Sequence, residues 1–228
     1  MARQIKAKRT KKTIYVFWEG ESEEAYTKFL KEQFALSAVI KIHAGKGTFD
    51  TARAYYRGNA RFQRDIQEID EIWFFFDTEV EKANKYDEYM SYLESIVRVR
   101  RDKEGKKKAV KIRLLMTTGC IEYWLLLHYE KVAPSIVTAE DKQAIMRKLQ
   151  SHVRSYTKGD LVATKEIAKD YETAVDNGKW TLYQLEGTGL PSIEGEDTRK
   201  RDGWLFRGQY TFTTVHEAIE MLKDLPVF

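Results

Sequence analysis

Three acidic residues stand just beyond three apolar runs of the kind that form strands. Glu19 follows Ile14-Tyr15-Val16-Phe17-Trp18, Asp77 follows Ile72-Trp73-Phe74-Phe75-Phe76, and Glu122 comes shortly after Val110-Lys111-Ile112-Arg113-Leu114-Leu115-Met116. Two more acids lie close by in sequence, Glu23 in Glu19-Gly20-Glu21-Ser22-Glu23 and Glu79 in Asp77-Thr78-Glu79. If the runs are neighbouring parallel strands, the acids meet at one sheet edge, where the turns leaving the carboxyl ends open a crevice. Clustered carboxylates repel, and a cluster holds together only with shared protons or a divalent cation. The chemistry expected is therefore that of a Mg2+ or Mn2+ site.

Each acid also has a bland explanation. Ser22 and Glu23 would suit the first turn of a helix, as cap and as partner of its positive end, and Asp77-Thr78-Glu79 could cap a helix over 79–97. Glu122 resists that treatment, because it is embedded among Ile121, Tyr123, Trp124, Leu125, Leu126 and Leu127. A carboxylate buried there without a partner would cost several kcal/mol, so it requires a cation. His128 falls nearly opposite Glu122 on an ideal helix and reads as a satisfied core histidine rather than a ligand.

The elements that must position these acids follow from periodicity. Strand signals lie at 13–18, 38–42, 71–76 and 110–116, with helical stretches at 21–35, 50–69 and 83–97 between them. Apolar strands without period-two alternation, joined by helices, make an α/β fold with a largely parallel sheet covered on both faces. After the apolar run 121–128 the chain turns helical and charged, around 138–155 and 161–177. A glycine-bearing polar loop follows near 187–203, then a last helix at about 213–225, with Thr214 and Glu217 as its capping box. This gives a basic flexible arm over 1–12, an α/β core over 13–132 and a helical C-terminal elaboration over 133–228, packed on the core.

Composition narrows the class. The chain has 228 residues, is 43% hydrophobic and carries one cysteine and 4 histidines. A lone cysteine excludes an internal disulfide and multi-cysteine zinc sites and points to a reducing compartment, and no HExxH pattern occurs. No window approaches the ~18 uncharged apolar residues of a membrane span, so the expectation is a soluble, cytoplasmic protein without a membrane partner. The net charge of +4 is uneven. Lys8, Arg9, Lys11 and Lys12 close a basic leader, while Arg100, Arg101, Lys106, Lys107 and Lys108 belong to a second basic run over 98–113. Beside an acidic cluster, such runs are candidate contacts for a DNA or RNA backbone, held without sequence readout. Gly45-Lys46-Gly47-Thr48 has the tail of a phosphate loop but not its leading glycine. P-loop ATP binding is thereby disfavoured, leaving its amides and Lys46 as a weak phosphate site. Trp204-Leu205-Phe206, set among arginines, reads either as a docking surface or as part of a buried hairpin.

With those residues in view, the chain resembles the RloB-like family, which occurs beside bacterial restriction and phage-defence genes and is related to Toprim domains. The resemblance rests on YVFWEGESEEAY, IWFFFDTE, CIEYWLLLHYE, SYTKGD at 155–160 and TFTTVHEAIEML, in that order. EGxxE followed by an acid-x-acid turn is the Toprim pattern seen in OLD-type nucleases. The resemblance implies a Toprim-like fold and makes Glu19, Glu23, Asp77, Glu79 and Glu122 candidate ligands. It also implies an AAA- or ABC-type ATPase as partner. Two departures stand out: Glu79 replaces the usual second Asp, and Thr118-Gly119 replaces the usual Asn-Pro before the Glu122 segment. The activity expected is metal-dependent phosphodiester hydrolysis, with Glu19, Asp77 and Glu79 at its centre and Lys46 neutralising developing charge. A non-catalytic subunit binding nucleic acid or an ATPase, and metal-dependent nucleotidyl transfer, are the alternatives. Self-association is compatible with each.

Overall fold

The four apolar runs become β1 (Lys12–Trp18), β2 (Ala38–Ile42), β3 (Glu71–Thr78) and β4 (Lys111–Thr118). The structure is a computed structural model and describes residues 11–58, 66–97, 110–195 and 197–228. All strand pairings are parallel, in the order β2-β1-β3-β4. Side chains alternate between two buried layers rather than between core and solvent. Ile14, Val16, Trp73, Phe75 and Leu115 enter one core, and Tyr15, Phe17, Ile72, Phe74, Phe76, Leu114 and Met116 the other. That is why the runs read as continuously apolar.

From β1 the chain runs through α1 (Glu21–Gln33) to β2 on one side, then through α2 (Phe49–Gly58) to β3 on the other side of β1. The direction of winding therefore reverses between β1 and β3, and open α/β sheets bind their ligands at such a switch point. The remaining helices are α3 (Tyr86–Val97), α4 (Ile121–Leu126), α5 (Ala139–His152), α6 (Leu161–Ala168), α7 (Tyr171–Glu186), α8 (Arg199–Arg207) and α9 (Val215–Lys223). Residues of α1, α4, α5, α6 and α9 fill the first core, and those of α2, α3 and α8 the second. Helix α7 contributes to both, through Ala174 and Val175 and through Leu182 and Leu185.

Three expectations are corrected. The region 187–203 is not all loop, because α8 begins at Arg199. Arg201 is buried there, bonded to Asp202 at 3.0 Å and to Glu217 at 2.5 Å. Leu205 and Phe206 are accordingly core residues of a helix, neither hairpin nor docking surface, and Trp204 stacks on Tyr210 with ring centroids 4.0 Å apart. Finally, Thr214 forms no capping box with Glu217. Its Oγ1 donates to Leu114 O at 2.8 Å and accepts from Met116 N at 2.9 Å, while Glu217 serves Arg201. These bonds, with the Thr117–Thr213 bridge, cover the outer edge of β4 and close an edge that would otherwise be free to pair.

Candidate metal centre

The carboxyl ends of β1 and β3 and the start of α4 converge on one cleft of ≈ 300 Å³, and Glu19, Glu23, Asp77, Glu79, Glu122 and Lys46 all line it. Six residues scattered between positions 19 and 122 are thus brought to one place by the sheet order.

Each acid is held differently. Glu19 follows β1 directly; its Oε2 accepts from Asp77 N at 3.2 Å, and its Oε1 meets Lys82 Nζ at 2.5 Å. Lys82 also reaches Glu79 at 2.9 Å, and Lys142 of α5 reaches the other oxygen of Glu79 at 2.7 Å. Glu23 is buried in the first turn of α1. Its carboxylate lies over Gly20, where a Cβ would come within 2.7 Å of Oε2, so glycine is what leaves room for the acid. Burial pushes the Glu23 carboxyl up to about 7, with the charges of Glu122 and Glu19 adding to the effect and a backbone bond and Lys158 opposing it. Asp77 is half-buried as a residue, but its Oδ1 is sealed from solvent and has no hydrogen-bond partner among the described residues. Burial raises its pKa well above the ordinary value, helped by Glu23, Glu19, Glu122 and Glu79.

Glu122 carries its own explanation. Its Oε1 accepts from Tyr156 Oη at 3.2 Å and Ser22 Oγ at 3.3 Å, and Lys158 Nζ lies 3.7 Å from Oε2. Two hydroxyls therefore do part of what the sequence reading assigned to a cation alone. Lys158 is two-thirds exposed and adds little. Ser22 does not cap α1; its Oγ accepts from Gly159 N at 3.0 Å and donates to Glu122. Neither Asp77 nor Glu79 acts as a helix cap, since the turn after β3 is 3-10 over Val80–Lys85 and Glu79, at its N-cap, makes no side-chain cap bond. His128 is buried against Tyr26 Oη and the carbonyls of Trp124 and Leu125, and burial lowers its pKa to about 4, as a core histidine requires.

Gly119 sets the approach to Glu122. Its φ of +74° lies where L side chains are strained, and a Cβ would sit 2.4 Å from Ile136 Cγ2. Its N–H donates to Thr78 O at 3.0 Å, tying the β4–α4 turn to the end of β3. In the 45–48 loop, the amides of Gly45 and Gly47 are already bonded to His43 O and Trp18 O and are not open to an anion, while Lys46 lines the cleft.

Sequence reasoning missed Lys82, Lys142, Tyr156 and Lys158. Tyr156 and Lys158 sat within the quoted SYTKGD segment, whose Asp160 caps α6 through the amides of Val162 and Ala163. Of the expected basic contacts, Lys12 lies at the opposite end of the sheet with its ammonium 2.7 Å from Glu71, and Lys11 donates to Ala35 O. Lys8, Arg9, Arg100, Arg101, Lys106, Lys107 and Lys108 fall outside the described residues.

Among the described residues, no three His, Cys, Asp or Glu side chains already stand as a coordination shell. Glu19 and Glu79 are turned to lysines and Glu122 to hydroxyls. The donor set itself fits Mg2+ or Mn2+: it is all carboxylate oxygen, and the buried Oδ1 of Asp77 is an acceptor that nothing among the described residues satisfies.

A parallel α/β sheet carrying an acidic cleft at its switch point defines the general class. Residues 14–222 match the model of the RloB-like protein family, and the chain belongs to that family. No curated protein and no solved structure matches it. No helix among the described residues is long and apolar enough to cross a membrane.

Proposed function

We propose that the chain is a Toprim-type nuclease, hydrolysing phosphodiester bonds with Mg2+ or Mn2+ in a restriction or phage-defence setting. The observation that carries this reading is Asp77, whose Oδ1 is buried and without a hydrogen-bond partner among the described residues, beside the carboxylates of Glu19, Glu23, Glu79 and Glu122 at the switch point. Such an arrangement costs stability, and structural burial alone would not retain it. Membership of the RloB-like family supports the defence setting.

In this reading Asp77, Glu19, Glu23 and Glu79 are the residues that would hold the ion, with Glu122 completing the set. The bound ion would supply a nucleophilic water at neutral pH and Lewis-acid polarisation of the phosphoryl group. The chain's own work is positioning. Ser22 and Tyr156 fix Glu122, the Asp77 amide fixes Glu19, and Lys46 offers charge at the cleft mouth.

The test is cleavage of end-labelled single-stranded DNA, duplex DNA and RNA with Mg2+, Mn2+ or EDTA, comparing wild type with Asp77→Asn. Metal-dependent scission that disappears in the variant is the expected result. Mn2+ binding without scission of any substrate would replace the nuclease reading with a metal-dependent nucleotidyl transferase or a binding subunit.

A further inference from the structure

Beside the acidic cleft lies a second groove of ≈ 360 Å³, lined by Glu79, Lys82 and Lys142 on one wall and by Ile136, Val137 and Phe206 elsewhere. Glu79 lines both spaces, so they share a wall. Lys82 bridges Glu19 at 2.5 Å and Glu79 at 2.9 Å, and Lys142 holds Glu79 at 2.7 Å. Two ammonium groups thus face two carboxylates, and the groove presents no surplus positive charge in this arrangement. Lys82 also occupies the position between Glu19 and Glu79 that a cation bound by both would take.

A divalent cation taken up by Glu19 and Glu79 would leave both ammonium groups without their partners. Each is about a third exposed and already borders the groove, whose other charged wall residue among those described is Glu81. We propose that Lys82 and Lys142 form a phosphate-binding subsite in this groove, closed by Glu19 and Glu79 until a divalent cation takes those carboxylates. The proposal rests on the metal reading above and adds a ligand site, a phosphodiester flanking the one to be cut, together with an order of binding. Ion and anion affinities are then coupled, each strengthening the other by the same factor.

The test uses Ca2+ as an ion, titrated by calorimetry, and a short abasic deoxyribose-phosphate strand followed by fluorescence anisotropy. In wild type, saturating Ca2+ is expected to tighten strand binding by about tenfold, within the usual range of such couplings. Lys82→Met and Lys142→Met should move the two affinities in opposite directions. Ca2+ binds more tightly because a competing positive charge is gone, and the Ca2+-dependent gain in strand affinity disappears. Lys142, a third exposed and paired among the described residues with Glu79 alone, provides the variant least able to disturb folding. If both affinities fall together, or neither moves, the lysines are structural or bystanders and the proposal fails. A gain that survives in both variants places the strand on the ion alone and also overturns it. Absence of any Ca2+ or Mn2+ binding by wild type would remove the metal reading as well, whereas ion binding with no gain removes only the subsite.

Discussion

Glu71 and Asp77 stand at opposite ends of the same strand, β3, and are buried to very different purposes. Glu71 is 1% exposed and fully satisfied: Lys12 Nζ lies at 2.7 Å, Trp73 Nε1 at 2.9 Å and Arg113 Nε at 3.3 Å. Burial alone would raise its pKa, but Arg113, Lys12 and Trp73 outweigh it and hold the carboxyl below its ordinary range. Asp77 has a buried oxygen with no partner among the described residues and the acids Glu23, Glu19, Glu122 and Glu79 around it, and its pKa is driven up. Glu71 and the Oδ1 of Asp77 are both shut off from solvent; the sign of the surroundings differs. The amino end of the sheet is neutralised by cations bonded directly to its acid, while at the carboxyl end lysines pair with Glu19 and Glu79 and leave Asp77 Oδ1 without a hydrogen-bond partner among the described residues. A buried acid is therefore informative about function only once its partners are counted.

The sharpest way to break this comparison is to neutralise one acid at each end. Asp77→Asn is expected to lower Mn2+ affinity or cleavage by more than ~100-fold, the upper loss typical of outer-shell partners of a metal. In EDTA it should leave the melting temperature unchanged or higher, because it removes a repelled charge. Glu71→Gln should do the reverse, leaving Mn2+ affinity as it was and costing about 3 kcal/mol of stability, since Lys12 and Arg113 lose their counter-charge. Equal destabilisation by the two variants, measured by urea melts in EDTA, would show that Asp77 is structural.

A smaller effect separates the two ends by pH. Glu23 titrates at about 7 in the folded protein against an ordinary 4.5, so between those values the native state binds more protons than the unfolded chain. Stability of the metal-free protein must then fall as pH rises through that window, by a few kcal/mol at most. Glu71 acts oppositely: its lowered pKa contributes stability above the ordinary Glu range that is lost as pH falls below it. Glu23→Gln should make the neutral limb of the stability curve shallower, Asp77 keeping its own share of it, and leave the acid limb alone. A neutral limb of unchanged slope would mean that Glu23 is not the group titrating there.

Much of this was legible in the sequence for a definite reason. Residues such as Trp73, Phe74 and Phe75 face alternate cores, so burial on both faces wrote itself as unbroken apolar runs and gave the parallel sheet directly. The acids were legible because they interrupt those runs at their ends. The lysines were not, since Lys82 and Lys142 look like ordinary surface charge until the fold sets them against Glu79. Helix α8 was hidden for a related reason: Arg199-Lys200-Arg201-Asp202-Gly203 reads as solvated, whereas Arg201 and Asp202 are buried as an ion network with Glu217. Local sequence reports burial through apolarity and is silent where burial is achieved by charge pairing. For Ser22 the local signal was present but ambiguous; a helix cap and a carboxylate ligand need the same hydroxyl.

The smallest expected effect concerns the turn that delivers Glu122. Gly119 holds φ at +74° with Ile136 packed where a Cβ would go, and its N–H anchors β4 to the Thr78 carbonyl of β3. Proline, which the resemblance would lead one to expect in this turn, fixes φ near −65° and has no N–H to give, so glycine here is a different solution and not a relaxed version of the same one. Gly119→Ala should cost about 2 kcal/mol, from the left-handed backbone and the contact with Ile136 together. Its functional cost separates two possibilities. If the turn aims Glu122, the Mn2+ affinity of Gly119→Ala falls severalfold even at a temperature where circular dichroism shows the variant fully folded. If affinity follows the folded fraction alone, the turn only closes the chain, and Glu122 is held in place by Ser22 and Tyr156 without its help.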